Sequence, residues 1–330
     1  MLKILREVQN QVYGNMGRLF ISCALILRIK YYLKIKINYN HQFRLMKRII
    51  FLFITLLFMG FTIANNKPAY RIFDNKGNEV TYDKAFKSVK KADMIFFGEL
   101  HNNPIAHWLQ LQMTKDLYDN KKDKLMLGAE MFESDNQLIL DEYLQGLISD
   151  KKFESECKLW DNYKTDYKPL IEFAKTNELK FIASNVPRRY ANVTFKDGLA
   201  GLEKLSDEAK KYIAPLPIKT DLTVSCYKEM LEMGGGNEKF PHAQMVKDAT
   251  MAHFILKYYQ SGNQFLHYNG SFHSDKHEGI IWYLNEMSKN KLNIQTITTV
   301  EQADIDKLDE QYFDKANFIV VVPEDMTKTY

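Results

Sequence analysis

The sequence predicts an α/β fold: a largely parallel sheet flanked by helices, with a helical cap inserted into it. Three observations carry that expectation. Beyond residue 65, short apolar runs alternate with longer amphipathic ones, the pattern of βαβ units. Four of the apolar runs end in polar, chemically capable residues, as strands do at the ligand-facing edge of an open sheet. The 266 residues after position 64 suffice for one domain of the larger α/β kind.

The expected strands are 94–98, 124–131, 179–184, 264–269, 292–299 and 317–322. The helix after the first begins with Asn103 as N-cap and Pro104 at its first position, and runs to about residue 117. Further helices are expected at 134–147, 167–176, 207–213, 242–259 and 277–287. Extended stretches at 70–74 and 80–82 around 75–77 read as a hairpin ahead of the sheet. The segment from about 150 to 240 is less regular and richer in helix, and is expected to form the cap. Its Gly234-Gly235-Gly236-Asn237 lacks the Gly-Lys-Ser/Thr of a phosphate loop and reads as a connection.

The N-terminus differs from the rest. Met46-Lys47-Arg48 precedes an uncharged run over 49–64 that ends Thr62-Ile63-Ala64, a signal-peptide pattern for residues 46–64. Residues 1–45 are therefore expected to be an over-extended reading frame, and 65–330 the mature domain. The alternative is a cytoplasmic arm followed by a signal anchor. No cysteine follows the run where lipid anchoring would need one, so release as a soluble protein is expected over anchoring; the expected location is exported, periplasmic or outer-membrane-associated. Residues 1–64 hold ten of the 45 basic residues and one of the 41 acidic ones, leaving 35 against 40, a formal −5. The +4 of the whole chain is thus an N-terminal property, and a nucleic-acid partner has no electrostatic support. Cys157 and Cys226 remain in the domain, and an oxidising compartment leaves their pairing open.

The chemistry gathers at the strand ends: Gly98-Glu99-Leu100-His101, Gly128-Ala129-Glu130, Asn185-Val186-Pro187-Arg188-Arg189-Tyr190 and Gly270-Ser271-Phe272-His273. Parallel strands would align these groups along one edge. The two Gly-x-x-His turns offer imidazoles able to move protons or ligate a metal near neutral pH. Glu99 and Glu130 can orient a histidine, bind a cation or take a proton, although Glu99 has a plainer use in holding the Asn102–Asn103 backbone. Arg188 can fork onto a carboxylate or phosphate. His107 and His253 lie within helices and are expected to pack or solvate. Trp160-Asp161-Asn162-Tyr163 and Tyr167 are read as cap core, with an aromatic ligand wall as the alternative. There is no His-Glu-x-x-His, Cys-x-x-Cys or Gly-x-Ser-x-Gly.

Phe-Gly-Glu-Leu-His-Asn-Asn-Pro from Phe97, Gly-Ala-Glu-Met-Phe-Glu from Gly128, Asn-Val-Pro-Arg-Arg from Asn185 and Gly-Ser-Phe-His from Gly270 resemble the ChaN-like haem-binding uptake proteins. Asp248, Met251 and Ala252 match the helix before the second histidine turn, and the likeness runs in order over residues 93–287. The wider superfamily holds the TIKI-type metal-dependent peptidases and the erythromycin esterases. The resemblance implies an exported haem-binding protein of iron uptake, whose partners would be haem and outer-membrane uptake machinery. A homodimer sandwiching haem is compatible with it. The implied shared site is Glu99, His101, Glu130 and His273, with Asn185 and Arg188 nearby. For haem, Tyr190 beside Arg188 and Arg189 is the first choice of iron ligand and propionate clamp, with Tyr163 and Tyr167 in reserve. The alternative function is a metal-dependent peptidase or esterase, in which Glu99, His101 and His273 hold a divalent ion and Glu130 activates water.

Overall fold

Asp74 sets the first turn: its carboxylate accepts the backbone N–H groups of Lys76 and Asn78, and Gly77 takes φ +81°. The turn joins β1 (Arg71–Asp74) antiparallel to β2 (Glu79–Val80). In the computed structural model, which describes residues 27–37, 39, 42–48, 67–289 and 291–330, the chain divides into Met1–Lys67 and Pro68–Tyr330. In the first unit, residues 27–37 and 42–48 are helical and exposed. The run 49–64, on which the signal-peptide expectation falls, lies outside the described residues.

In the second unit α1 (Tyr82–Val89) follows the hairpin, capped by the Thr81 side chain accepting from Lys84 N–H. Then come β3 (Met94–Glu99), α2 (Pro104–Lys121), β4 (Leu125–Glu133), α3 (Gln137–Leu144), α4 (Asp150–Glu156) and α5 (Lys168–Thr176). Asn103 caps α2 by accepting from Ile105 and Ala106, with Pro104 in the first turn as expected. After β5 (Phe181–Asn185) lie α6 (Arg188–Asp197), α7 (Ala200–Glu203), α8 (Asp207–Lys210), α9 (Ser225–Met233) and α10 (Lys239–Tyr258). The chain ends through β6 (Gln264–Gly270), α11 (Ile280–Met287), β7 (Ile294–Gln302) and β8 (Phe318–Pro323).

One eight-stranded sheet has the order β2-β1-β8-β7-β3-β6-β4-β5, and every pair from β8 to β5 is parallel. The α/β expectation holds. The 150–240 segment is woven into this sheet, because it supplies the edge strand β5 as well as helices. The expected helix 277–287 begins late, at Ile280, because Lys276, His277 and Gly279 all take positive φ and no helix can run through them.

Strand alternation sorts the core into two layers. Ile95, Phe97, Leu127, Phe181, Leu266 and Tyr268 face one side. Met94, Phe96, Met126, Ile182 and Phe265 face the other, against Met245, Ala249 and Met251 of α10. Cys157 belongs to the first layer and Cys226 to the second, so the sheet separates them; both are buried free thiols.

Candidate functional site

The two Gly-x-x-His turns are nested. β3 and β6 are neighbours in register, with Gly98 opposite Asn269 and Glu99 opposite Gly270. A Cβ on Gly98 would sit 2.9 Å from the Ser271 Cα, and one on Gly270 2.8 Å from His101 Cε1. Neither glycine needs a positive φ; both are demanded by the close approach of one turn to the other.

On one face of the sheet stands Glu99, 1% exposed. Its carboxylate accepts from His101 Nδ1 (2.9 Å), Gln110 Nε2 (2.6 Å) and the Tyr167 hydroxyl (2.6 Å). Burial opposes its charge, but His101, His107 and Tyr167 outweigh that and hold its pKa below the usual range. An ionised carboxylate can only accept, so His101 carries its proton on Nδ1 and leaves Nε2 free. Burial lowers the pKa of His101, while Glu99 and Glu130 raise it to a net increase. His107 donates from Nε2 to the His101 carbonyl (3.0 Å), so this helix histidine supports the turn rather than merely packing.

On the opposite face stands Glu130. The β4–β5 register slips between Ala129 and Glu133, a bulge that turns Glu130 toward β6. Its Oε2 accepts the Gly270 N–H (2.7 Å), and its Oε1 lies 3.1 Å from His273 Nε2. His273 Nδ1 bonds Asp248, whose other oxygen accepts from the Tyr227 hydroxyl (2.8 Å). Burial disfavours charge on His273, but Glu130 and Asp248 overcome it and push its pKa up to about 10. Glu130 is held well below its ordinary range against burial, chiefly by His273; Asp248 is raised, because burial dominates there. The result is an imidazolium clamped between two carboxylates, with neither ring nitrogen free.

Glu99, His101 and His273 therefore do not converge on a metal. Both Glu99 oxygens are taken, and His273 spends both nitrogens on acids. Among the described residues no group of three or more His, Cys, Asp or Glu side chains is placed to hold an ion.

Between the two networks opens a cleft of about 470 Å³. Asn185 and Arg188 line it with His101 and Glu130, and Trp160 forms a wall, its ring edge-on to His101 at 4.9 Å. Lys158 and Lys247 add cationic edges. The expected haem clamp is not assembled as the sequence suggested. Tyr190 is 9% exposed, packs in the second core layer and accepts from Arg189, which itself pairs with Asp135 (2.6 Å); neither lines the cleft. Tyr163 stacks edge-on against Phe132 in the core, and Tyr167 lies behind Glu99. The tyrosine that does line the cleft is Tyr330, for which the sequence carried no signal. Asp248 was visible within a matched helix, but nothing local marked it as the partner of His273; Gln110, Lys158, Gln244 and Lys247 gave no signal either.

Fold and site together define an α/β ligand-binding protein whose cleft opens at the carboxyl edge of a parallel sheet. The family model described as haem-binding uptake, Tiki superfamily, ChaN matches residues 85–284, and the chain belongs to that family. Of solved structures, ChaN of Campylobacter jejuni, determined with cofacial haem, superposes with a TM-score of 0.59 at 18% identity. It covers 77% of this chain and 96% of its own, which shows the shared fold. An erythromycin esterase, EreC in its open conformation, aligns over 78% of this chain and 83% of its own at 9% identity. Its TM-score of 0.42 is too low to bear on function. Protein RETICULATA-RELATED 5, chloroplastic, of Arabidopsis thaliana is 22% identical over 191 residues, 53% of this chain. The match spans only 26% of that relative's length.

Proposed function

We propose that the chain is an exported haem-binding protein of haem or iron uptake, and that haem enters the cleft with His101 Nε2 as its iron ligand. The observation that carries the reading is the orientation of His101. Its Nδ1–H is committed to a buried carboxylate, the arrangement that fixes a metal-ligating histidine, and its free Nε2 belongs to a side chain 37% exposed at the cleft. The surroundings fit the rest of a haem. Trp160, Leu159 and Val186 offer apolar wall, Arg188 and Lys247 are cations with no carboxylate partner among the described residues, and the volume suits a cofactor pocket. Bound haem would supply the redox and ligand chemistry of its iron; the chain supplies the ligand, its orientation and propionate recognition.

Hemin titration tests this. A Soret shift at micromolar hemin is expected, lost in His101→Ala and retained in Tyr190→Phe. An unshifted spectrum in the unmodified chain sinks the reading. The metal-dependent hydrolase finds less support, since His273 spends both ring nitrogens on carboxylates and Glu99 is already held by three donors. Export rests on the 46–64 pattern, and delivery to outer-membrane machinery on the family. Sequencing the exported protein's N-terminus near residue 65 would support the first. Sedimentation with and without hemin would reveal a haem-linked dimer.

A further inference from the structure

Beyond β8 the chain runs past the carboxyl ends of β7 and β3 to the cleft. Residues 326–330 hold no helix or strand, and none of residues 324–330 is fully buried. The segment is tied down at intervals instead. The Glu324 N–H donates to the Gln302 carbonyl at the end of β7 (3.2 Å), and Lys328 pairs with Glu301. The Thr329 N–H donates to the carbonyl of Asn102 (3.0 Å), next to His101, and the Thr329 hydroxyl donates to Asp166 (2.8 Å). Tyr330 then lies at the cleft, 65% exposed.

Tyr330 stands at a boundary. A second hollow of about 420 Å³ lies against the two histidine turns, lined by Leu100, Asn102, Ser271 and Phe272. Among the described residues only His101 and Tyr330 line both this hollow and the cleft, so the two form the partition between them. His101 is fixed by Glu99, whereas Tyr330 rides on a segment without secondary structure. A flat ligand held through its central iron spreads to every side of the liganding nitrogen. With Tyr330 in place the space beside His101 is divided; with Tyr330 swung out it is continuous.

The fastenings are of a strength that a gate can release. Two hydrogen bonds and a part-exposed ion pair hold the end of the segment, and each contributes little net of solvent. A segment with no buried side chain opens readily. The fastenings also reach the ligand-bearing turn. Asp166 accepts from Asn162 Nδ2 (2.7 Å) as well as from Thr329, and the same Asn162 amide donates to the His101 carbonyl (2.9 Å). Docking of the segment is therefore felt at the His101 backbone.

We propose that residues 324–330 form a strap that gates the cleft. Docked on Glu301, Asn102 and Asp166, it closes the His101 side; released, it withdraws Tyr330 and lets a flat ligand lie across both hollows. The nature of that ligand rests on the reading of the cleft as a haem site, but the gate itself does not.

Diethyl pyrocarbonate, which acylates neutral imidazole, tests the gate without haem. Peptide mapping of the full chain gives the acylation rate of each histidine in the unmodified protein, in Tyr330→Ala and in the double variant Lys328→Gln/Thr329→Val. His101 should react about threefold faster or more in both variants. Buried His107, and His253, which lines neither hollow, should keep their rates. Stopped-flow mixing with hemin should show association quickened by a similar factor. His101 rates equal to those of the unmodified chain would overturn the proposal. So would a rise that His107 shares, which signals a loosened fold rather than an opened gate. Faster His101 acylation with no hemin binding in any chain would leave the gate standing and remove the haem reading. Hemin binding with both kinds of rate unaltered would do the reverse.

Discussion

If the two histidine turns are nested, alanine at their glycines should act in opposite ways. At Gly98 the added methyl meets backbone: Ser271 Cα at 2.9 Å and the Ile297 carbonyl at 3.3 Å, on the strands either side. Relief requires β3 to part from β6 or β7, an overpacking cost of about 1–3 kcal/mol. Reduced freedom of the unfolded chain returns about 0.4–1 kcal/mol. With backbone on both sides the upper end of that range applies, and the net loss of about 2 kcal/mol corresponds to a melting temperature lower by about 4–8 °C for a unit of this size. At Gly270 the methyl meets the end of a side chain, His101 Cε1 and Nε2 at 2.8 and 2.9 Å, which can swing into the cleft. Its φ of −54° and ψ of 137° suit alanine, so stability should fall by only about 1 kcal/mol. Haem affinity should nevertheless drop at least tenfold, because His101 leaves Glu99. Thermal melts and hemin titrations of both variants form the assay. A Gly98→Ala protein as stable as the unmodified chain, or a Gly270→Ala protein with full affinity, would refute the nesting argument.

Other perturbations follow from the same geometry. His273 has a folded pKa of about 10 against about 6.5 unfolded, so its stabilisation is full below about pH 6.5 and is lost as pH rises through 10. The melting temperature should therefore fall across that alkaline window, and fall less steeply in His273→Gln; parallel curves would show that the clamp is not ionic. Reversing Arg188 and Lys247 to glutamate should weaken hemin binding at least tenfold with little change in stability, as both line the cleft without a carboxylate partner among the described residues. Cys157 and Cys226, on opposite faces of the sheet, should both react with a thiol reagent in denaturant and neither in the native state, even after oxidation. A Cys157–Cys226 cross-link on peptide mapping would contradict the layer assignment.

The sheet was readable because buried parallel strands write themselves as apolar runs, and all six such runs recur as β3 to β8 with ends displaced by at most three residues. The short helices α1, α4 and α9 were not anticipated: they hold eight, seven and nine residues, too few for periodicity to stand out. At the site, residues at strand ends were legible because topology alone brings strand ends together. The cleft's other half comes from helices and loops: Lys247 on α10, Lys158 and Trp160 in the irregular segment, Tyr330 in the tail. Their meeting depends on packing angles, which no local spacing encodes. Tyr190 failed as a ligand for the same reason. One helical turn past the strand, its ring faces the core rather than the cleft.

The position of β6 between β3 and β4 has a temporal meaning. Glu130 finds its backbone donor, and His101 its neighbour, in a strand made about 130 residues after β4. Until that strand is inserted, β3 and β4 flank a gap, and Glu130 has neither His273 nor the Gly270 amide to hold its charge. The site is thus absent until that late strand has been inserted between its two predecessors. A chain that has it has placed β6 between β3 and β4, so ligand capture reports on that insertion.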